Sequence, residues 1–174
     1  MSMTLPKETL TKFPARVLVE TGTNVGDCIS LALECGFTKV ISIEKSGHYY
    51  EIASKRFLGD SRVTVIHGDS IDVLHEVISE FNEPITFWLD SHYTPGLPLS
   101  AAGPCPILRE ISLIGQHRIK GHAILVDDVS CFSTPVLDNI TIHQVQEEIL
   151  KISDQYKFSF ERGKFERDVL AAVV

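Results

Sequence analysis

The chain has 174 residues, 44% hydrophobic and 22% charged, which is the composition of an ordinary folded domain able to bury a core without cross-links. Its formal net charge is −7 and its 16 Lys and Arg residues form no basic stripe, so we expect no nucleic-acid partner and favour a small molecule. No apolar run approaches the roughly 20 residues that span a bilayer, so we expect no membrane contact.

Short β-rich runs alternate with helix-length amphipathic segments, which predicts an α/β fold with a mostly parallel sheet covered on both faces. The predicted strands are 16–20, 39–43, 63–67, 85–89, 122–126, 157–161 and 168–174. The predicted helices are 27–35, 48–57, 71–81 (with Ser70 as the expected N-cap), 107–116 and 142–152.

The last two predicted strands are joined by a segment that contains Arg162-Gly163-Lys164 and is too short for a crossover helix. They should therefore be antiparallel neighbours. We find no internal repeat or second domain, so residues 1–174 are expected to form one domain. The apolar end VLAAVV could either complete the sheet or contact another copy, so a homo-oligomer stays open.

The alternation is interrupted at 93–106, which contains four of the eight prolines and few charges. A loop of this length inside a compact domain is usually functional or mobile. We predict that 94–105 is a mobile lid over the ligand, the alternative being a surface insertion.

The cysteines at 28, 35, 105 and 131 form no C-x-x-C pair. Free thiols in a reducing compartment are the favoured interpretation, which predicts a cytoplasmic location.

Acidic residues stand at or just after the ends of the first five predicted strands. They are Glu20, Glu44, Asp69, Asp90 and the pair Asp127-Asp128. Each could simply complete a turn or cap a helix. The carboxyl ends of parallel strands share one edge of a sheet, however, and ligands bind at that edge.

The turn from Glu20 to Gly26 lacks the G-x-G-x-x-G spacing of a dinucleotide site. Gly22 would let the backbone approach a ligand, Gly26 would allow close helix packing, and Asn24 tolerates a positive φ. A carboxylate at Glu20 disfavours a pyrophosphate and suits a cationic amino-acid end. Glu44 suits ribose hydroxyls and Asp69 an exocyclic amine, a combination that describes S-adenosylmethionine (SAM).

These motifs resemble the class I, Rossmann-like SAM-dependent methyltransferases over nearly the whole chain. The resemblance is carried by E-x-G-x-x-x-G at 20–26, Glu44, Gly68-Asp69-Ser70, FWLDSHY at 87–93 and the closing hairpin. It implies a three-layer sandwich with a seven-stranded sheet in the order 3-2-1-4-5-7-6, one strand antiparallel. It also implies these cofactor-binding residues: Glu20, Thr21, Gly22, Thr23, Asn24, Gly26, Asp27, Glu44, Lys45, Asp69, Ser70 and Asp90.

A narrower resemblance is to the metal-dependent O-methyltransferases, of the catechol and macrocin types. It implies that Asp90, Asp127 and Asp128 hold Mg²⁺, an ion that prefers oxygen ligands. Asp90 and His92 are the candidate catalytic residues, with His92 suited to deprotonate a hydroxyl. His92 could instead hydrogen-bond the loop that it begins.

The leading expectation is methyl transfer from SAM to a small-molecule acceptor at a hydroxyl oxygen, with S-adenosylhomocysteine (SAH) as product. The alternative is a non-catalytic protein of the same fold that binds SAM, SAH or an adenosine nucleotide. A nucleotide-dependent oxidoreductase is disfavoured by Glu20 and by the missing middle glycines.

Overall fold

The computed structural model describes residues 5–91 and 104–174. Its strands are β1 (Val17–Thr21), β2 (Lys39–Glu44), β3 (Val63–His67), β4 (Ile85–Leu89), β5 (Ala123–Val126), β6 (Lys157–Glu161) and β7 (Val169–Val173). Its α-helices are α1 (Lys7–Leu10), α2 (Asp27–Glu34), α3 (Gly47–Arg56), α4 (Ser70–Ser79), α5 (Ile107–Gly115) and α6 (Ile142–Leu150). Two 3-10 turns, Val129–Cys131 and Pro135–Leu137, follow β5.

The seven strands form one sheet in the order β3-β2-β1-β4-β5-β7-β6. Neighbouring strands from β3 to β5 pair in parallel, whereas β7 runs antiparallel to both β5 and β6. The predicted fold class, strand order and antiparallel closing hairpin are confirmed. Val126 pairs with Leu170, so the start of β7 lies beside the carboxyl end of β5.

The sheet has an apolar core on each face because its central strands are buried on both sides. Val17 and Val19 face α4, α5 and α6, and the alternate residue Leu18 faces α1 and α2. Trp88 is 1% exposed and belongs to the second core. The result is a three-layer sandwich that holds the carboxyl ends of β1, β2, β4 and β5 along one edge.

The structure corrects two local expectations. Asp69 is the N-cap of α4 and accepts a hydrogen bond from the Ile71 N–H, while Ser70 is the first helical residue. The sequence interpretation also missed α1, which buries Leu10 against the face that contains Leu18. His92 and most of the predicted lid, 94–103, lie outside the described residues.

All four cysteines belong to the described residues and none forms a disulfide, as predicted. Among the helices of the described ranges, none is both long and apolar enough to cross a bilayer.

Candidate functional site

The turn between β1 and α2 is built on three residues with positive φ. These are Gly22 at +89°, Asn24 at +52° and Gly26 at +84°. Asn24 therefore takes the left-handed conformation that its side chain tolerates best among the non-glycine residues. The turn predicted to bind a ligand therefore has a well-defined backbone conformation, although it lacks the middle glycines of the G-x-G-x-x-G motif.

Both glycines of this turn are required for close packing. A Cβ at Gly22 would overlap the carbonyl oxygen of Asp90 and lie 2.8 Å from its carbonyl carbon. A Cβ at Gly26 would lie 2.6 Å from Cε2 of Phe57. The tight contact that Gly26 permits is thus with the residue that follows α3. Gly22 brings the turn directly against the end of β4.

The carboxylate of Glu44 holds the turn in place through hydrogen bonds with the backbone. Its Oε2 accepts the backbone N–H of Asn24 at 2.8 Å, and its Oε1 accepts the N–H of Ser46 at 2.8 Å. An ionised carboxylate has about four lone-pair sites, so each oxygen can still accept another hydrogen bond. Glu44 can therefore hold two ribose hydroxyls while it keeps its backbone contacts.

Glu20 points into the protein. It is 1% exposed and accepts a hydrogen bond from the Ser42 hydroxyl, which also contacts Thr23 Oγ1 at 2.5 Å. Burial raises the pKa of Glu20 to about 8, although hydrogen bonds from Ser42 and Cys28 oppose the shift. The carboxyl group is thus part of a buried polar network beneath the turn.

The predicted adenine side of the site is held by an ion pair. Lys45 Nζ lies 2.7 Å from Asp69 Oδ2, and Asp69 Oδ1 caps α4 at the Ile71 N–H. Ser70, the first residue of α4, is 5% exposed. Asp27 is engaged elsewhere, because Arg56 contacts its carboxylate at 2.7 Å.

Asp90 follows β4 and donates its backbone N–H to the carbonyl of Thr21. Burial, followed by the charges of Asp127 and Asp128, raises the pKa of Asp90 well above its usual range. The hydroxyl of Thr21 is buried without a hydrogen-bond partner among residues 5–91 and 104–174. Glu110 of α5 joins this end of the sheet, accepting a 2.7 Å hydrogen bond from Ser91.

The acids that follow β5 form a cluster with a third aspartate. Asp127, Asp128 and Asp168 each offer a carboxylate oxygen, and these oxygens lie within 4.8 Å of one another. The predicted metal set was Asp90, Asp127 and Asp128. Among the described residues, the group contains Asp168 in the place predicted for Asp90. Asp90 is nevertheless close enough to Asp127 and Asp128 for their charges to raise its pKa.

Sequence reasoning missed Asp168 because it was taken as the first residue of the last strand. A signal was present nonetheless. An antiparallel strand paired with β5 begins where β5 ends, so an acid at its start joins the acids after β5.

The arrangement offers two adjoining features at one edge of the sheet. One is a backbone turn backed by Glu20 and Glu44, and the other is a group of carboxylates at the ends of β4, β5 and β7. The first can hold a polar ligand with hydroxyls, and the second can hold a cation through hard oxygen ligands.

Comparison with solved structures finds this architecture repeatedly. A candidate caffeoyl-CoA O-methyltransferase from Staphylococcus aureus aligns with 94% of this chain and 77% of its own, at 11% identity and a TM-score of 0.64. An O-methyltransferase from Bacillus cereus, solved in complex with SAH, aligns with 97% of this chain and 78% of its own, at 20% identity and a TM-score of 0.58. A SAM-dependent methyltransferase from Archaeoglobus fulgidus aligns with 97% of this chain and 93% of its own, at 11% identity and a TM-score of 0.61.

The chain has the class I SAM-dependent methyltransferase fold. No protein-family model matches the sequence, and no curated protein matches it. At these identities the likeness establishes the fold, and the activity must be argued from the residues of the site.

Proposed function

We propose that this protein transfers a methyl group from SAM to a hydroxyl oxygen of a small-molecule acceptor. One observation carries the proposal: in a methyltransferase fold, the turn 22–26, Glu44 and the carboxylates after β4 and β5 meet at one edge of the sheet. The B. cereus O-methyltransferase of the same fold was solved with SAH, which supports SAM as donor and SAH as product.

The donor would lie across the ends of β1 and β2. The turn Gly22–Gly26 would wrap its methionine part, Glu44 would accept hydrogen bonds from the ribose, and Asp69 with Ser70 would lie beside the adenine. The remaining proposed contacts come from neighbours of these residues: Glu20, Thr21, Thr23, Asn24, Asp27, Lys45 and Asp90. Lys45 and Asp27 would have to exchange part of their present ion pairs for the ligand.

The acceptor would bind beside Asp90, opposite the donor sulfur. Its hydroxyl oxygen would take the methyl group from SAM, with a C–O bond formed as the C–S bond breaks and its electron pair stays on sulfur to give SAH. The hydroxyl proton must leave in this step, and His92 or Asp90 would accept it. The raised pKa of Asp90 makes its carboxylate a stronger base than an exposed one.

A divalent cation such as Mg²⁺ fits the acids at this edge. Asp127 and Asp128, with Asp90 nearby, present hard oxygen ligands, and a buried oxygen of Asp168 has no hydrogen-bond partner in the described part of the chain. When bound, such a cation would lower the pKa of an acceptor hydroxyl and orient it. The chain's own residues would hold the donor and accept the proton.

We propose this activity for one domain that comprises residues 1–174; most of the proposed lid, 94–105, lies outside the described residues. The negative net charge and the free thiols support a cytoplasmic enzyme that acts on a metabolite, not on nucleic acid or a membrane. Association of identical chains is compatible with this function and is not required by it.

Calorimetric titration of the full chain with SAM, SAH, NAD and ATP tests the donor. We expect SAM and SAH to bind with clear heats and NAD and ATP not to bind. Incubation with methyl-labelled SAM and a panel of hydroxyl-bearing metabolites then tests transfer. Absence of SAM and SAH binding would contradict the proposal, and tight binding without transfer to any acceptor would favour the non-catalytic alternative.

A further inference from the structure

Asp168 immediately precedes β7, a strand other than those that the predicted metal ligands follow. Its backbone carbonyl accepts the N–H of Val129 at 2.9 Å, and its Oδ1 accepts the N–H of Ser130 at 3.1 Å. These bonds fix both the backbone and the side chain against the segment that follows Asp127 and Asp128. The orientation of the carboxylate is thus set by contacts that leave its second oxygen available.

The second oxygen, Oδ2, has no hydrogen-bond partner in the described ranges, although Asp168 is 1% exposed. A buried polar atom without a hydrogen-bond partner is destabilising, and more so when it is charged. The hydrogen bond from the Ser130 N–H therefore explains where the Asp168 side chain lies, but it does not explain why this side chain is a carboxylate. An asparagine would accept the Ser130 bond equally well.

Gly163, in the turn before β7, leaves room at this position. A Cβ there would lie 3.1 Å from the Asp168 Cβ and 3.4 Å from Asp127 Oδ1. The hairpin thus approaches the two aspartates without placing a side chain between them and the turn.

We propose that Asp168 is a direct ligand of a divalent cation, whose protein ligands are Asp127, Asp128 and Asp168. This inference rests on the proposed function only in its metal part. It assigns a third ligand to the antiparallel strand and leaves Asp90 to face the donor and acceptor. Carboxylates gathered at one point repel one another when they are ionised, and a bound cation would offset that repulsion.

The geometry agrees with this ligand set. Oxygens bound to one Mg²⁺ at about 2.1 Å can be at most about 4.2 Å apart, and the limit for Ca²⁺ reaches about 5 Å. The three aspartate oxygens all lie within 4.8 Å of one another, which is inside the limit for Ca²⁺. Binding of Mg²⁺ or Mn²⁺ requires every pair of ligating oxygens to come within the shorter limit.

The test measures Mn²⁺ binding to the full chain without SAM, by the loss of the free-ion electron paramagnetic resonance signal. We compare the wild type with Asp168→Asn, with Asp127→Asn as the positive control, and with the exposed Asp154→Asn as the charge-matched control. Asp168→Asn should weaken Mn²⁺ binding about tenfold or more, as Asp127→Asn does, and Asp154→Asn should leave it unchanged. Added Mg²⁺ should displace Mn²⁺ from the wild type.

Thermal unfolding separates ligation from folding. Asp168→Asn keeps an oxygen for the Ser130 N–H, so its metal-free melting temperature should stay near that of the wild type, while its stabilisation by Mn²⁺ should be lost. Wild-type affinity in Asp168→Asn would overturn the inference, and so would absence of Mn²⁺ binding to the wild type. Calorimetry with SAH alone reports the donor site separately, so failure here is distinguishable from failure of the proposed methyl transfer.

Discussion

Each oxygen of the Glu44 carboxylate already accepts one backbone N–H, from Asn24 and from Ser46. The same side chain therefore shapes the turn and would hold the donor ribose. A carboxylate suits both tasks because it is a pure acceptor with capacity for additional bonds. A substitution at Glu44 can therefore test SAH binding without disturbing the fold only if the new side chain has the same shape as glutamate.

Glu44→Gln keeps the shape and changes the chemistry. The amide NH₂ of the glutamine must face a backbone N–H or a ribose hydroxyl, where the carboxylate oxygen accepted a hydrogen bond. Hydrogen bonds to a charged acceptor contribute about 1.5–3 kcal/mol. The affinity for SAH should therefore fall roughly 10- to 100-fold. Calorimetric titration with SAH measures the effect. Glu51→Gln on the exposed side of α3 is the control, and unchanged affinity in Glu44→Gln would remove Glu44 from the proposed site.

The element that matters most is the turn between β1 and α2. Gly22 combines a φ of +89° with a position at which a Cβ would overlap the backbone of Asp90. Only glycine satisfies both conditions, because a Cβ would be strained in conformation and would overlap rigid backbone atoms. The turn is therefore positioned by β4 as much as by its own sequence.

Gly22→Ala should lower the free energy of unfolding by at least about 2 kcal/mol, since strain and overlap act together. Gly36→Ala is a matched control, because Gly36 has a φ of +95° and a Cβ there would meet no residue other than its chain neighbours within 4 Å. Its cost should be only the conformational part, about 1–2 kcal/mol. Urea unfolding compares the two, and equal losses would contradict the contact with Asp90.

Over the whole molecule, two buried groups make stability depend on pH in opposite directions. The carboxyl of Glu20 has its pKa raised to about 8 from 4.5, mainly by burial. Burial, then the charge of His117, lowers the pKa of His122 to about 4 from 6.5. His122 accepts the Ile85 N–H and lies 3.0 Å from His117, a neutral arrangement that protonation disrupts.

The directions follow from which state binds more protons. Glu20 keeps its proton in the folded state, so its contribution decreases as pH rises from about 4.5 to about 8. His122 takes up a proton more readily when unfolded, so its contribution increases as pH rises from about 4 to about 6.5. The two nearly cancel up to pH 6.5, above which Glu20 acts without this opposition.

The metal-free protein should therefore lose stability between pH 6.5 and 8, with about 2 kcal/mol of the fall due to Glu20. Asp90 shifts in the same direction. Glu20→Gln, which retains an acceptor for Ser42, should remove the Glu20 part, whereas the exposed Glu76→Gln should not. Denaturant unfolding across this range measures the difference, and a wild-type fall that persists in full in Glu20→Gln would refute the assignment.

The seven strands, their alternation with helices and the acids at the strand ends could all be predicted from the sequence. These are local signals: the hydrophobic period, glycine and asparagine in turns, and the short link Arg162-Gly163-Lys164 are each read within a few residues. The conformation of Asn24 belongs here as well, because few other side chains tolerate a positive φ.

Three features depend on packing and could not be predicted from the sequence: the direction of the Glu20 carboxyl, the close approach of Gly22 to Asp90, and the approach of Asp168 to Asp127 and Asp128. These depend on groups that lie far apart in the sequence and meet through strand pairing. The short helix α1 escaped the pattern for the same reason, since it buries Leu10 through packing and not through a helix period of its own. A strand's sequence specifies which residues it buries, whereas its neighbours specify what those residues touch.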